Sequence, residues 1–327
     1  MKKLIINEIP NEPCFRIKIP FFELEDSLSY RDSLTVSYEN GIINTIFNEL
    51  KDITQITKLE FPFSLRSLHH WNNGSRNITL VNFLSLLQIW RKMSKMNEKE
   101  YTDKLSNIFD KLTLYSKNGT IPHVFNPRHA YYIGYHLGDG NLYENKIKNI
   151  HRAFYSDQSF KHLFFIRNLV KDLFKVNCRM KRSKISDFYR LEISSKSLVI
   201  WLNKICDIPI GKKNNLTVPQ IVSNSSLEIK KWFCAGLIDA DGGIGSHSLT
   251  VTLTSKEPLF FIQQTLKELD IFSRVRGPYG PYRGIEQEWK LQIDRKKDLS
   301  KLQRLNICKH PSIIRKLKKI LGLWGNG

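Results

Sequence analysis

Long apolar runs are missing from this 327-residue sequence. No segment offers the roughly 18 uncharged apolar residues that a membrane span needs, and the N-terminal "LII" is far too short for a signal-peptide core. The expectation is a soluble, cytoplasmic protein with no membrane partner. Cysteine is scarce and unpatterned: Cys14, Cys178, Cys206, Cys234 and Cys308 are odd in number and widely scattered. That spacing argues against a disulfide framework or a zinc site and predicts reduced, buried thiols. Acid is short as well. Against 51 Lys and Arg stand 31 Asp and Glu, a formal net charge of +20. A small acidic substrate does not need so large a field. The bias points to a polyanion, and to nucleic acid before anionic membrane, because no single basic amphipathic helix stands out.

What the sequence does have is a repeated motif. "WFCAGLIDADGGIG", Trp232–Gly245, has a partner in "YYIGYHLGDGNLY", Tyr131–Tyr143, and Asp139 stands 102 positions before Asp241. Both stretches end Asp-Gly after an apolar, glycine-containing turn. The flanks repeat too. "SFKHLFFIRNLVKDLF" follows the first copy and "EPLFFIQQTLKELDIF" the second, each with the spacing of an amphipathic helix. Alternating runs come next, "FYRLEIS" and "EWKLQID", and each leads into a Lys-rich helix start. The order predicts an α+β fold of two αββαββα repeats, in which helices cover one face of each four-stranded antiparallel sheet and leave the other open. In a basic protein such open faces can lie along a duplex groove, and "NCRMKRSKIS" and "SRVRGPYGPYRG" supply the side chains. Arg179, Lys181, Arg182, Arg274, Arg276 and Arg283 are therefore candidate DNA-binding residues.

The small residues carry the next step. Ala235, Gly236 and Ala240 in one copy, and Gly134 and Gly138 in the other, allow two helix backbones to approach closely. If the motif helices pack together, Asp139 and Asp241 meet at their C-terminal ends. A helix C-terminus already carries about half a negative charge. Two acids placed there call for a cation, and magnesium, which takes carboxylate and phosphate oxygens, suits them.

"CAGLIDADG", Cys234–Gly242, closely resembles the signature of LAGLIDADG homing endonucleases, and "YIGYHLGDG", Tyr132–Gly140, resembles the degenerate first copy of their single-chain, two-repeat members. The resemblance covers roughly residues 110 to 322. It implies a pseudo-symmetric monomer that clamps double-stranded DNA with two saddle-shaped sheets and cuts both strands, with Asp139 and Asp241 as catalytic metal ligands, one for each strand. It also implies a lysine near the centre from each repeat: Lys212 or Lys213 in "IPIGKKNNLTVP", and Lys309 in "NICKHPSIIRKL". The first motif departs from the signature at Leu137, where an acid is usual, and at His136, where an apolar residue is common. The chain starts without the nucleophile of an intein and ends "GLWGNG" rather than His-Asn, which predicts a free-standing protein.

Residues 1–40 are informative only for strands such as "FRIKIPFF". Beyond them, "FSLRSLHHWNNGSRNITLVNFLSLLQIWRKM" reads as a helix from about Ser64 to Asn72, a stop at Gly74, and a helix from about Leu80 to Met93. The pattern resembles the helix-turn-helix of the Cro and repressor class, through Trp71, Gly74, Arg76, Ile78, Leu80, Phe83 and Leu84. By that resemblance Ser64, Arg66, Ser67, His70 and Arg76 face bases or phosphates in the major groove. The expected organisation is an N-terminal segment 1–40, a small, mainly helical DNA-binding domain 41–97, a connector 98–125, and repeats at 126–225 and 226–327. The expected function is magnesium-dependent, site-specific cleavage of duplex DNA that propagates the encoding mobile element. Two alternatives stand beside it: a maturase that binds intron RNA, and a transcription regulator that keeps the fold only to bind DNA.

Overall fold

The computed structural model describes residues 9–12, 14–16, 34–38, 45–46, 48–50, 64–72, 75–94, 96–109, 112–183, 187–213, 215–280 and 287–322. The chain divides into two compact units, one formed by Met1–Arg16 with Val124–Gly327 and the other by Ile17–His123. The larger unit is thus interrupted in sequence by the smaller. No helix among the described residues is long and apolar enough to cross a membrane. Of the five thiols, Cys206, Cys234 and Cys308 are buried as expected, whereas Cys178 is half-buried and Cys14 exposed.

Strand β1 (Phe15–Arg16) belongs to the larger unit. The smaller unit follows with β2 (Thr35–Tyr38), α1 (Leu65–Asn72), β3 (Ile78–Thr79), α2 (Leu80–Ser94), α3 (Glu98–Phe109), β4 (Leu112–Tyr115) and β5 (Thr120–Ile121). Its strands form one antiparallel sheet in the order β3-β2-β4-β5. This corrects two expectations. The unit mixes helices with a sheet, and residues 98–121 are built into it rather than forming a connector. Strands of two to four residues carry too little alternation to register as a pattern, which is why sequence periodicity shows the helices alone. The core here is Leu80, Phe83, Leu84, Leu87 and Trp90 of α2 with Val36 and Leu114, all essentially without solvent access.

The larger unit resumes with β6 (Val124–Phe125), which pairs antiparallel with β1. Then come α4 (Pro127–Asp139), β7 (Asn141–Asn145), β8 (Ile150–Asp157), α5 (Phe160–Phe174), β9 (Cys178–Arg182), β10 (Tyr189–Ser194) and α6 (Lys196–Ile200), which runs on into a π-helical turn at Trp201–Ile205. After the short α7 (Gln220–Ser223), a similar order returns in α8 (Leu227–Asp241), β11 (Gly242–Ile244), β12 (Leu249–Leu253), α9 (Lys256–Glu268), β13 (Arg274–Tyr279), β14 (Glu288–Ile293), α10 (Lys296–Arg304) and α11 (Pro311–Leu321). The two sheets have matching strand orders, β7-β8-β10-β9 and β11-β12-β14-β13, and every pairing in them is antiparallel. In β10 and β14 burial alternates: Leu191 and Ile193 lie in the core while Arg190 and Ser194 are exposed, and Leu291 and Ile293 are buried on either side of the half-buried Gln292. One face of each sheet is therefore covered and the other open.

Helices α4 and α8 pack on each other along their length, and glycine sets how closely. A Cβ at Gly134 would overlap the carbonyl oxygen of Phe233, and a Cβ at Gly236 would overlap that of Tyr131. Each helix thus rests a glycine on the other's backbone. The start of α4 is fixed by Asn126, whose side chain accepts from the His129 amide, and by Pro127 at the first position. Arg128 then ties this helix to its surroundings, its guanidinium donating to the Ile9 carbonyl at 3.0 Å and to Asp172 at 2.8 Å.

Candidate active site at the ends of the paired helices

Because α4 and α8 run side by side and end together, Asp139 and Asp241 finish their helices at one place. A Cβ at Gly138 would collide with the Ala240 methyl and the Asp241 carboxylate, so the pair is as tight at its tip as along its shaft. Burial pushes the Asp139 carboxyl up to about 7, with the charges of Asp241 and Asp157 adding to the effect. Burial likewise takes Asp241 up to about 6, and Lys213 works against the rise. Asp241 Oδ2 is buried with no hydrogen-bond partner among the described residues. Two oxygen-only ligands held near each other, one with an unsatisfied buried oxygen, fit a hard divalent cation such as magnesium. Among the described residues no cluster of three or more His, Cys, Asp or Glu side chains has metal-binding geometry. Magnesium commonly completes its shell with water and substrate phosphate around one or two carboxylates, so two protein ligands suffice.

The structure separates the lysine candidates. Lys212 is exposed. Lys213 turns inward, and its ammonium donates to the carbonyls of His136, Leu137 and Gly138, each at 2.8 Å. All three N–H donors are thereby used to close the last turn of α4, where a cation opposes the helix dipole. Burial lowers Lys213 to about 8, and Asp241 and Asp139 counteract it. Lys309 is buried, its ammonium 5.3 Å from the centroid of the Trp232 ring, and its backbone amide donates to Asp239 at 2.7 Å. The abundance of lysine in the sequence hides this difference. The connection after the π-turn runs from Asp207 to Pro219 before α7 begins, whereas the connection after α10 needs only Asn306 to His310 before α11.

Three further residues, absent from the candidates read in the sequence, line a cavity of about 650 Å³ beside Asp139: Asp157, Asp239 and His310. His310 Nε2 lies 3.2 Å from the Asp157 carboxylate. Burial opposes charge on the ring, but the Asp157 hydrogen bond and the charges of Asp157, Asp239 and Asp139 outweigh it and raise His310 above its ordinary value. Asp157 is lowered in turn: its burial is overcome by the His310 hydrogen bond and the Ser159 amide. Asp239 is buried, raised to about 6 by desolvation, and accepts from the Tyr131 hydroxyl at 2.7 Å. Leu137 stands at the matching position of α4, so this acid is a structural feature of one helix only. Its neighbour His136 is wholly buried, with Nδ1 2.6 Å from the Tyr155 hydroxyl. The sequence signals for Asp157 and His310 are slight: an acid closing a strand and a His-Pro opening a helix.

The strand candidates sort by parity. Arg179 and Lys181 pair across the ladder with Glu192 and Arg190, and all four lie on the open face of their sheet. Arg182 has the opposite parity: its guanidinium lies 6.0 Å from the Tyr189 ring and pairs with Asp187. Arg274 and Arg276 pair with Gln292 and Lys290 on the open face of the other sheet, where Arg274 also bonds Asp294. Arg283 lies outside the described residues. In the smaller unit Ser64 caps α1 by accepting from the Ser67 amide, and Arg66 is exposed one turn before His70, whose Nδ1 meets Ser75 Oγ at 2.7 Å. Arg76 is exposed beyond the helix.

Residues 228–320 match the family described as the LAGLIDADG-like domain. Over 189 residues the chain is 25% identical to a glutamine–fructose-6-phosphate aminotransferase of Methanocaldococcus jannaschii, covering 56% of this chain and 16% of that protein. Over 154 residues it is 25% identical to the replication factor C small subunit of the same organism, covering 46% of this chain and 8% of that protein. The chain therefore spans less than a fifth of the length of either curated relative. Among solved structures, the homing endonuclease I-DmoI in complex with DNA and calcium is 19% identical, with 59% of this chain and 97% of that one covered and a TM-score of 0.45. Full-length WhiA from Thermatoga maritima is 16% identical over 62% of this chain and 63% of that one, with a TM-score of 0.39. The matched stretch carries the second motif helix, so residues 228–320 of this chain are a LAGLIDADG-like domain, and the glycine-packed partner helix brings Asp139 to its Asp241.

Proposed function

We propose that the chain is a divalent-metal-dependent endonuclease that cuts both strands of a duplex DNA site. The observation that carries this reading is the meeting of Asp139 and Asp241 at the ends of two helices, in a strongly basic chain whose two sheets each leave one face open. Asp139 and Asp241 would hold the metal, magnesium by the chemistry of the ligands, which when bound stabilises charge on the oxygens of the phosphate under attack. The protein's own share is to keep these acids ionised and to place the DNA. Lys213 opposes the rise in both carboxyl pKa values. Arg179, Lys181, Arg190, Arg274, Arg276 and Lys290 project from the open faces, where cationic side chains fix the register of a duplex through its phosphates. In the smaller unit, Ser64, Arg66, Ser67, His70 and Arg76 would add contacts outside the cut site.

The test compares binding with cleavage on one DNA. Break mapping on a plasmid library with magnesium supplies the site. Asp139→Asn and Asp241→Asn keep side-chain volume and remove one negative charge that repels phosphate, so binding is kept or tightened. Cleavage falls steeply, by several orders of magnitude if the lost metal ligand contributes several kcal/mol to the transition state. Wild-type cleavage rates in both variants would remove the ligand assignment, and a wild type that binds tightly and never cuts would make the protein a DNA-binding regulator.

A further inference from the structure

The open face of the first sheet carries a ring that phosphate binding does not call for. Phe154 of β8 has the parity of Arg152 and Ser156, opposite to the buried His151, Ala153 and Tyr155, so its half-buried ring lies on the open side. Across the ladder Phe154 faces Glu192 of β10. Arg190, which faces Ser156, reaches the ring diagonally and sets its guanidinium carbon 4.5 Å from the centroid. The charges around this pair are already sorted. Glu192 bonds Arg152 at 3.2 Å, and Arg182 and Arg274 have carboxylates of their own. Arg190 has none: among the described residues its guanidinium makes the ring contact and no ion pair or hydrogen bond. Arg179 and Lys181 of β9 are equally without a carboxylate, but among the described residues neither lies over a ring.

Stacking restricts the long arginine side chain and leaves its in-plane N–H donors open at the edge. That fork matches O6 and N7 of guanine in the major groove, a bidentate pair that brings guanidinium and base near one plane. A ring stacked on the guanidinium then falls one base-pair step away, ~3.4 Å along the duplex. Thymine alone among the bases presents an apolar group in that groove, its 5-methyl, and phenylalanine is among the side chains that meet it. A phosphate would use the guanidinium and leave the phenyl ring facing water. The second sheet has no equivalent pair. Aligned through Leu191 and Leu291, its matching positions are Thr250 for Phe154 and Lys290 for Arg190, and the Lys290 ammonium lies 5.2 Å from the centroid of Tyr279. An ammonium is a point charge without the planar fork.

We propose that Arg190 and Phe154 read one base step, a guanine with a thymine in the next base pair, in one half of the DNA site alone. The inference rests on the reading of the open faces as a duplex-binding surface and adds to it the bases chosen and the residues that choose them.

The test reads binding in calcium and needs no cleavage. The full chain selects from a pool of random-sequence duplexes, and the selected site is rebuilt with single changes. Replacing the guanine by 7-deazaguanine removes N7 and weakens wild-type binding about tenfold. Replacing the neighbouring thymine by uracil removes the methyl and weakens it by a smaller factor. Arg190→Ala and Arg190→Lys bind the deaza site as well as the unmodified one, and Phe154→Ala no longer distinguishes uracil from thymine. Arg190→Lys is the sharper variant, because it keeps the charge that a phosphate contact would use. If Arg190→Lys keeps the guanine preference while Arg190→Ala weakens all sequences alike, Arg190 holds a phosphate and the proposal falls. It falls too if the wild type selects no such step, or selects it in both halves. A wild type that selects the step through Arg190 and never cuts removes the endonuclease reading and leaves this one standing; cleavage at a site where no base is sensed through Arg190 does the reverse.

Discussion

At the scale of single residues, the site stores unfavourable electrostatics. Burial pushes Asp139 up to about 7 and Asp241 up to about 6, against an ordinary 3.8, and at Asp139 the charges of Asp241 and Asp157 add to the rise. A carboxyl with a raised folded pKa binds its proton more tightly in the folded chain. Its contribution to stability is therefore fully present below the unfolded value and is lost as pH rises through the folded one. In the absence of metal, Asp241→Asn should accordingly stabilise the protein at pH 8 by on the order of 2 kcal/mol, with a gain that shrinks toward pH 5. Thermal melts in a chelating buffer at the two pH values measure it; an equal gain at both would mean that packing, not charge, sets the difference. Lys213 predicts the opposite sign. Lys213→Met leaves three carbonyls at the end of α4 without their donor and removes the counter-charge of both acids, for a loss of about 2 to 4 kcal/mol in urea unfolding. Lys212→Ala, on the exposed neighbour, should fall within about 0.5 kcal/mol of wild type.

Among the elements, the helix pair is where sequence and structure agree most fully. Gly134 and Gly236 stand at positions where any Cβ meets a backbone carbonyl of the other helix, and their spacing from Asp139 and Asp241 was legible without coordinates. Gly134→Ala or Gly236→Ala must push the helices apart, at a cost of about 3 kcal/mol or more, and must also separate the two carboxylates. Chemical unfolding combined with metal titration tests both consequences; a variant of wild-type stability would show that the helices can part without penalty. The strands themselves were legible too, since Leu191 and Leu291 anchor alternations of the expected period. What the sequence hid depends on contacts between distant residues. Nothing local distinguishes Lys213 from Lys212, or shows that Lys309 turns toward Trp232. The pairing of Asp157 with His310 joins residues 153 positions apart. Arg182 continues a basic run, yet its parity takes it off the open face. In the smaller unit, strands as short as Ile78–Thr79 exist through their partners and leave no periodic trace.

On the scale of the whole molecule, the order of the chain makes a prediction that a simple truncation would get wrong. The larger unit includes the first 16 residues, and they are tied to it: Phe15 pairs with Phe125, Arg16 with Val124, Asn126 bonds Asn11, and Arg128 donates to the Ile9 carbonyl. A fragment beginning at Val124 would leave the buried guanidinium of Arg128 without one acceptor and β6 without its partner strand. It should be destabilised by about 2 to 5 kcal/mol relative to a chain that keeps those residues. Because β1 and β6 are antiparallel neighbours, Arg16 and Val124 lie side by side, and a short glycine-containing turn can join them with residues 17–123 removed. That excised chain should fold and, on the endonuclease reading, cut its site. It should bind more weakly than the full protein and with a shallower dependence on salt, since the phosphates neutralised by Arg66 and Arg76 are lost and each phosphate contact contributes about 0.9 to the logarithmic salt slope. Binding measured from 50 to 200 mM salt separates the cases. A parallel downward shift would mean that the smaller unit acts on the stability of the larger one, whereas an unchanged affinity and slope would mean that it makes no contact with DNA.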